Sequence, residues 1–140
     1  MTDYVLYEQD GPIVILSLNL AEKRNPISEM AMVDAIVASL ERIQNDDTVR
    51  VAILTGKGTA FSSGGDIRKM QEATAERAAR PYRTPAYYKG GIQRIPIAFE
   101  RVDVPIIAAV NGPPSAPASI SPACATCASV RNPRAMPKAS

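Results

Sequence analysis

Short apolar runs alternate with polar punctuation over the first 112 residues, and the rhythm then stops. Tyr4-Val5-Leu6-Tyr7 and Ile13-Val14-Ile15-Leu16-Ser17-Leu18 are rich in β-formers and flank Asp10-Gly11-Pro12, whose turn chemistry predicts a hairpin. Glu22-Lys23-Arg24-Asn25-Pro26 reads as a polar loop. Ser28 is placed to N-cap a helix with Glu29 in its first turn. Met32, Val33, Ile36, Leu40 and Ile43 follow at three- and four-residue spacing, giving one apolar face to about Gln44. Val49-Arg50-Val51-Ala52-Ile53-Leu54 predicts a buried strand that stops at Gly56. A glycine- and serine-rich loop leads to Asp66, and a short helix is expected from there to about Ala79.

Pro81 to Gly91 reads as a loop. A helix is expected between Lys89 and Glu100, kinked or shortened by Pro96. Pro105-Ile106-Ile107-Ala108-Ala109-Val110 predicts a second continuous apolar strand, ending at Asn111-Gly112. Apolar strands alternating with helices imply an α/β fold, a parallel sheet covered by helices. Ligands of such sheets sit beyond the carboxyl ends of the strands. The loops after Leu54 and after Val110 are therefore the places to seek chemistry.

Composition divides the chain. Residues 1–112 hold all 14 acidic residues, whereas 113–140 hold none and carry half of the 12 prolines. Residues 113–140 form a Pro/Ala/Ser-rich tail with neither helical nor strand periodicity, expected to be disordered because little apolar surface offsets the ordering entropy. The whole is 46% hydrophobic and 21% charged, the make-up of a globular protein. No apolar run reaches the roughly 18–20 residues of a membrane span, and Met1-Thr2-Asp3-Tyr4 has no secretory n-region, so the expected location is cytoplasmic. A net charge of +2 gives no footprint for nucleic acid.

Histidine is absent, which removes the Ser-His-Asp and Cys-His routes to a nucleophile and the commonest transition-metal ligand. Ser62 and Ser63 consequently have no base for serine-protease chemistry. Cys124 and Cys127 form a C-x-x-C, but a zinc site lacks its other two ligands, and the Pro/Ser/Ala surroundings do not suggest a thioredoxin-like turn. No metal is expected.

The loop Gly56-Lys57-Gly58-Thr59-Ala60-Phe61-Ser62-Ser63-Gly64-Gly65-Asp66-Ile67 carries the candidate chemistry. Tandem glycines allow close approach of a ligand, Asp66 can cap the next helix, and amides at that helix start lie at the positive end of its dipole. Such an amide can stabilise an oxyanion by on the order of 3 kcal/mol. The plain alternative is a flexible turn.

Glu22-Lys23-Arg24-Asn25, then A-I-L-T-G-x-G-x-A-F-S-S-G-G-D-I, then V-P-I-I-A-A-V-N-G-P together resemble the crotonase (enoyl-CoA hydratase/isomerase) family in order and spacing over residues 4–113. The resemblance implies a crotonase-like ββα spiral, incomplete because only the N-terminal half is present. Residues 1–112 would be a partial crotonase-like domain. It implies an acyl-CoA substrate whose thioester lies between two backbone amides, the first being that of Gly65. Ser63, Asp66 and Ile67 match positions lining the acyl-CoA site. Lys23 and Arg24 lie in the segment resembling the CoA-contacting loop, with solvated surface charge as the alternative for both side chains. No cofactor is implied, since coenzyme A is part of the substrate, and intact members form homotrimers and hexamers.

The tail departs from that pattern. The second oxyanion amide would fall at Pro117, which has no N–H, and the family's acidic positions fall at Ile120 and Ser140. Loss of one base just after the Pro113 codon accounts for this: Pro114–Ile120 regroups to permit A-I-G-A-G-L-D, with an acid where Ile120 stands. The expectation is a truncated, out-of-frame product of an acyl-CoA enzyme gene, inactive as it stands. A genuine divergent tail is the other reading. Two functions follow, acyl-CoA hydration, isomerisation or related chemistry, or a non-catalytic acyl-CoA-binding or oligomer-associating fragment.

Overall fold

A computed structural model describes residues 3–111 and 129–131. The hairpin forms as expected. Strand β1 (Val5–Asp10) runs antiparallel to β2 (Ile13–Leu18), pairing Val5 with Leu18 and Asp10 with Ile13. Gly11 takes a left-handed φ of 56° in the turn between them. Strands β3 (Val51–Gly56) and β4 (Ile106–Val110) then add in parallel, in the order β1-β2-β3-β4-β5. The last strand, β5 (Ser129–Arg131), pairs in parallel with β4. It lies within the segment expected to be a disordered tail; the rest of that segment, including Pro117, Ile120, Cys124, Cys127 and Ser140, lies outside the described residues.

Helix α1 (Met30–Gln44) buries Met32, Val33, Ile36, Leu40 and Ile43, the five positions its periodicity selects. Ser28 does not cap it. The N-cap is Glu29, which makes no side-chain cap bond, and the Ser28 hydroxyl instead accepts the amide of Asp66 at 2.9 Å. Helix α2 (Ile67–Ala79) follows the glycine-rich loop. The stretch read as a loop, Pro81 to Gly91, contains a one-turn 3₁₀ helix (Pro81–Arg83) and helix α3 (Thr84–Gly90). Each has proline at its first or second position, where the missing N–H costs nothing. Helix α4 (Arg94–Glu100) is short, with Pro96 in its first turn, and buries Ile95, Ala98 and Phe99.

The core lies on one sheet face. Val14, Leu16, Leu18, Ala52, Leu54 and Ile106 are all 5% exposed or less and pack against α1 and α4. The register sets Ile15, Ile53 and Ile107 in one row of the opposite face, all half-buried, with Ile13 38% exposed. Helices were expected on both faces. Among the described residues they cover one, so the strands' doubly apolar character is only half used.

Candidate functional site

Two loops and the residue that follows β4 meet at the carboxyl ends of β2, β3 and β4. The first, residues 19–28, leaves β2, makes a one-turn 3₁₀ helix (Ala21–Lys23) and then places two successive residues in left-handed conformation, Arg24 at φ 59° and Asn25 at φ 54°. Asparagine tolerates that region better than most residues. The turn drives the Asn25 side chain inward, where it is fully buried.

The second loop, residues 57–66, is fastened to the first along its length. The Asn25 Nδ2 donates to the carbonyls of Lys57 (2.9 Å), Ala60 (2.9 Å) and Phe61 (3.3 Å), while its Oδ1 accepts the Leu20 amide at 2.8 Å. Ser63 N donates to Arg24 O at 2.7 Å, Ile27 N donates to Gly64 O at 2.9 Å, and Pro26 and Gly64 form a parallel bridge. The buried Ser62 hydroxyl donates to Asn25 O at 2.8 Å and accepts Gly64 N at 3.1 Å. A side chain at Gly64 would be strained, because its φ is 77°.

Asn111 directly follows β4. Its Oδ1 accepts Gly56 N at 3.2 Å, and its Nδ2 donates to Gly56 O at 2.7 Å and Gly58 O at 3.1 Å. Thr55 at the end of β3 donates its hydroxyl to Ala109 O at 3.0 Å, closing the β3–β4 seam just below.

This stitching has a consequence for Gly65. The amides of Ser63, Gly64 and Asp66 all donate to protein oxygens, to Arg24 O, Ser62 Oγ and Ser28 Oγ respectively. Among the described residues no oxygen accepts the amide of half-buried Gly65. One N–H is thus left open between neighbours that are locked, at the approach to α2. The Asp66 Oδ1 accepts Arg68 N at 3.0 Å, an Asx-type cap of the kind its position suggests.

The sequence-selected residues fall as follows. Arg24, Ser63, Gly65 and Asp66 are brought together by the paired loops. Arg24 is exposed, and its contribution to the pairing is its carbonyl. Lys23 is exposed, and its ammonium meets Glu29 Oε1 at 3.2 Å; the hydrogen bond to that carboxylate holds the Lys23 pKa above its ordinary value. With the lysine side chain 55% exposed, the pair adds little stability. Ile67 is the first residue of α2, and its side chain lies outside the described residues. Asn25, Asn111 and Ser28 are the residues that sequence reasoning undervalued. Their signal was local turn chemistry (Asn25-Pro26, Asn111-Gly112), which announces a bend but not the distant carbonyls it reaches.

A separate open groove of about 400 Å³ lies between α1 and α4, lined by Val37, Gln44, Arg94, Ile97, Arg101 and Val102 among others. It shares no residue with the loop cluster. Among the described residues no group of three or more potential ligands is placed to hold a metal ion, and no helix is long and apolar enough to cross a membrane.

Comparison with known proteins agrees with this architecture. The enoyl-CoA hydratase/isomerase family model matches residues 8–118, past the composition break at Pro113. A putative enoyl-CoA hydratase from Thermus thermophilus is 36% identical over 109 residues, covering 75% of this chain and 40% of that protein. A 4-chlorobenzoyl coenzyme A dehalogenase from Arthrobacter sp. is 26% identical over 110 residues, covering 79% of this chain and 38% of its own. The crystal structure of an enoyl-CoA hydratase/isomerase from Mycobacterium paratuberculosis superposes with a TM-score of 0.63 at 30% identity, over 81% of this chain and 43% of that one. The chain belongs to the enoyl-CoA hydratase/isomerase family. It has the α/β architecture of crotonase-type structures and spans about 40% of the length of the curated relatives it matches.

Proposed function

We propose that this chain binds an acyl-CoA thioester at the loop cluster, with the thioester oxygen at the Gly65 amide. The observation that carries the reading is that this amide is open while those of Ser63, Gly64 and Asp66 are committed. Ser63, Asp66 and Ile67 border that position, and Lys23 and Arg24 lie on the neighbouring loop where a CoA phosphate could be met. In family chemistry of the hydratase type, water adds to the β-carbon of an enoyl thioester, the electron pair moves onto the thioester oxygen as an enolate, and a proton is then delivered to the α-carbon. A positioned N–H lowers the cost of that oxygen's charge. No cofactor is required, because coenzyme A arrives with the substrate. The setting is proposed to be cytoplasmic and the intact assembly homo-oligomeric.

Proton transfer needs a carboxylate or its equivalent within reach. Asp66 caps the start of α2, and Glu29 engages Lys23. No acid follows Asp103 in the sequence. We therefore propose that the 140-residue chain binds the thioester without turning it over, and that residues 114–140 are the product of a lost base. Titration calorimetry with crotonyl-CoA and with free CoA tests the binding: a preference of tenfold or more for the thioester is expected, and equal affinity refutes it. Clear hydration of crotonyl-CoA by the purified chain refutes the inactivity. Reading the coding DNA across codons 110–140 tests the frame.

A second reading, an oligomer-associating fragment without catalysis, is favoured by the apolar sheet face on which Ile13 is 38% exposed beside half-buried Ile15, Ile53 and Ile107. Concentration-dependent association in sedimentation, without thioester preference, supports it over the first.

A further inference from the structure

Two asparagines from different loops seize the same short segment. Asn111 accepts Gly56 N and donates to the Gly56 and Gly58 carbonyls, and Asn25 donates to the carbonyls of Lys57, Ala60 and Phe61. From Gly56 to Phe61 only the Thr59 carbonyl is outside this grip. The segment also leads directly into Ser62-Ser63-Gly64-Gly65. Side-chain amides suit the task, since each offers two N–H donors and an acceptor from one planar group. Both arms are needed in geometric terms. Asn25 hangs from the loop after β2, Asn111 from the end of β4, and the segment they hold follows β3, which lies between those strands.

We propose that Asn25 and Asn111 are positioning residues, a two-armed clasp that fixes where the Gly65 amide points. Neither touches the reacting atoms. Asn25 acts through Phe61 and through its own carbonyl, which receives the Ser62 hydroxyl that in turn accepts Gly64 N. Asn111 acts by anchoring the root of the loop at Gly56 and Gly58. The inference rests on the acyl-CoA reading for its functional consequence and on the hydrogen bonds alone for its structural one.

The test uses the ¹⁵N-labelled 140-residue chain with Asn25→Gly and Asn111→Ala. Glycine keeps the left-handed backbone at position 25 while deleting the side-chain amide. In both variants the Gly65 amide resonance is expected to shift and broaden, while the amides of Leu16 in β2 and Leu40 in α1 keep their positions. The preference for crotonyl-CoA over free CoA falls about tenfold or more, with free CoA affinity unchanged. A Gly65 resonance that stays in place when the Gly56 amide loses its protection overturns the proposal. Unfolding of both variants also overturns it, by assigning the asparagines to the fold as a whole. If the wild-type chain shows no thioester preference, the acyl-CoA reading fails, and the Gly65 resonance alone judges the clasp.

Discussion

Gly56 closes β3 where the chain turns hard back on itself, and the structure allows the cost of a single methyl group there to be worked out. A Cβ at position 56 would lie 2.4 Å from Phe61 O, 2.7 Å from Ala60 O and 2.8 Å from Phe61 Cα. All three are backbone atoms, so no side chain can swing aside. Ordinary contact begins near 3.4 Å, and relief requires the loop to yield by roughly 1 Å. The Ala60 and Phe61 carbonyls also accept from Asn25 Nδ2, at 2.9 and 3.3 Å, and that shift is made at the expense of those bonds. Overpacking costs about 1–3 kcal/mol, and a buried donor left unpaired adds about 1–3 kcal/mol. Gly56→Ala is therefore expected to lose about 2–6 kcal/mol, much of the stability of a typical domain.

Gly90→Ala is the control. A Cβ at Gly90 meets nothing within 4 Å, and the residue ends α3, so alanine should be neutral or gain up to about 1 kcal/mol. The chain has no tryptophan, so urea unfolding is followed by circular dichroism. The Gly56→Ala midpoint should fall well below wild type with an unchanged slope. A loss below about 0.5 kcal/mol, or one equal to that of Gly90→Ala, would refute the view that the loop is rigidly held.

Two further outcomes are expected. Gly65→Pro deletes the open N–H, and the preference for crotonyl-CoA over free CoA should drop roughly tenfold by calorimetry, the worth of one hydrogen bond of about 1.4 kcal/mol; an undiminished preference means that the thioester oxygen sits elsewhere. The Thr48 hydroxyl first, then the Thr48 amide, hold the Asp46 carboxyl below its ordinary pKa of 3.8. A depressed folded-state pKa contributes stability that is present above that ordinary value and is lost as pH falls through the folded one. Thr48→Val removes the hydroxyl, so the fall in urea midpoint on acidification below about pH 4 should become shallower than in wild type; an identical acid limb rejects the assignment.

The elements that bury an apolar face were the legible ones. Strands β2, β3 and β4 and helix α1 follow from uninterrupted or 3.6-spaced apolar residues, because the burial that stabilises them is written in side-chain type. Helix α3 reads as loop in the sequence for the converse reason. It buries no residue, Tyr87 is 57% exposed, and its two-proline approach looks like a breaker when it is an N-terminal signal. Ser28 shows a different limit. Sequence position points its hydroxyl at the nearest helix start, α1, yet it serves a residue 38 positions away at the start of α2. Capping is chemically ambiguous in sequence, because any helix start brought alongside can compete for the oxygen. Gly65 and its neighbours are candidates through family resemblance, whereas the asparagines that hold them are visible only once the loops are placed.

The reliance on side-chain amides, in place of apolar packing, has an electrostatic reason. A loop that presents an N–H to a developing negative charge also carries carbonyl oxygens, whose dipoles would oppose that charge if they faced it. At Gly56, Lys57, Gly58, Ala60 and Phe61 the carbonyls are committed to asparagine N–H groups. An aspartate at either position would set a carboxylate against these same oxygens, and an apolar side chain would leave them free to reorient. Asparagine satisfies the carbonyls and adds no charge, so the loop's dipoles are fixed before any ligand arrives. Preorganisation of that kind avoids reorganising dipoles when charge forms. It ties two features that look independent in the sequence, Asn25 beside Pro26 and Asn111 at the end of β4, to the open amide at Gly65.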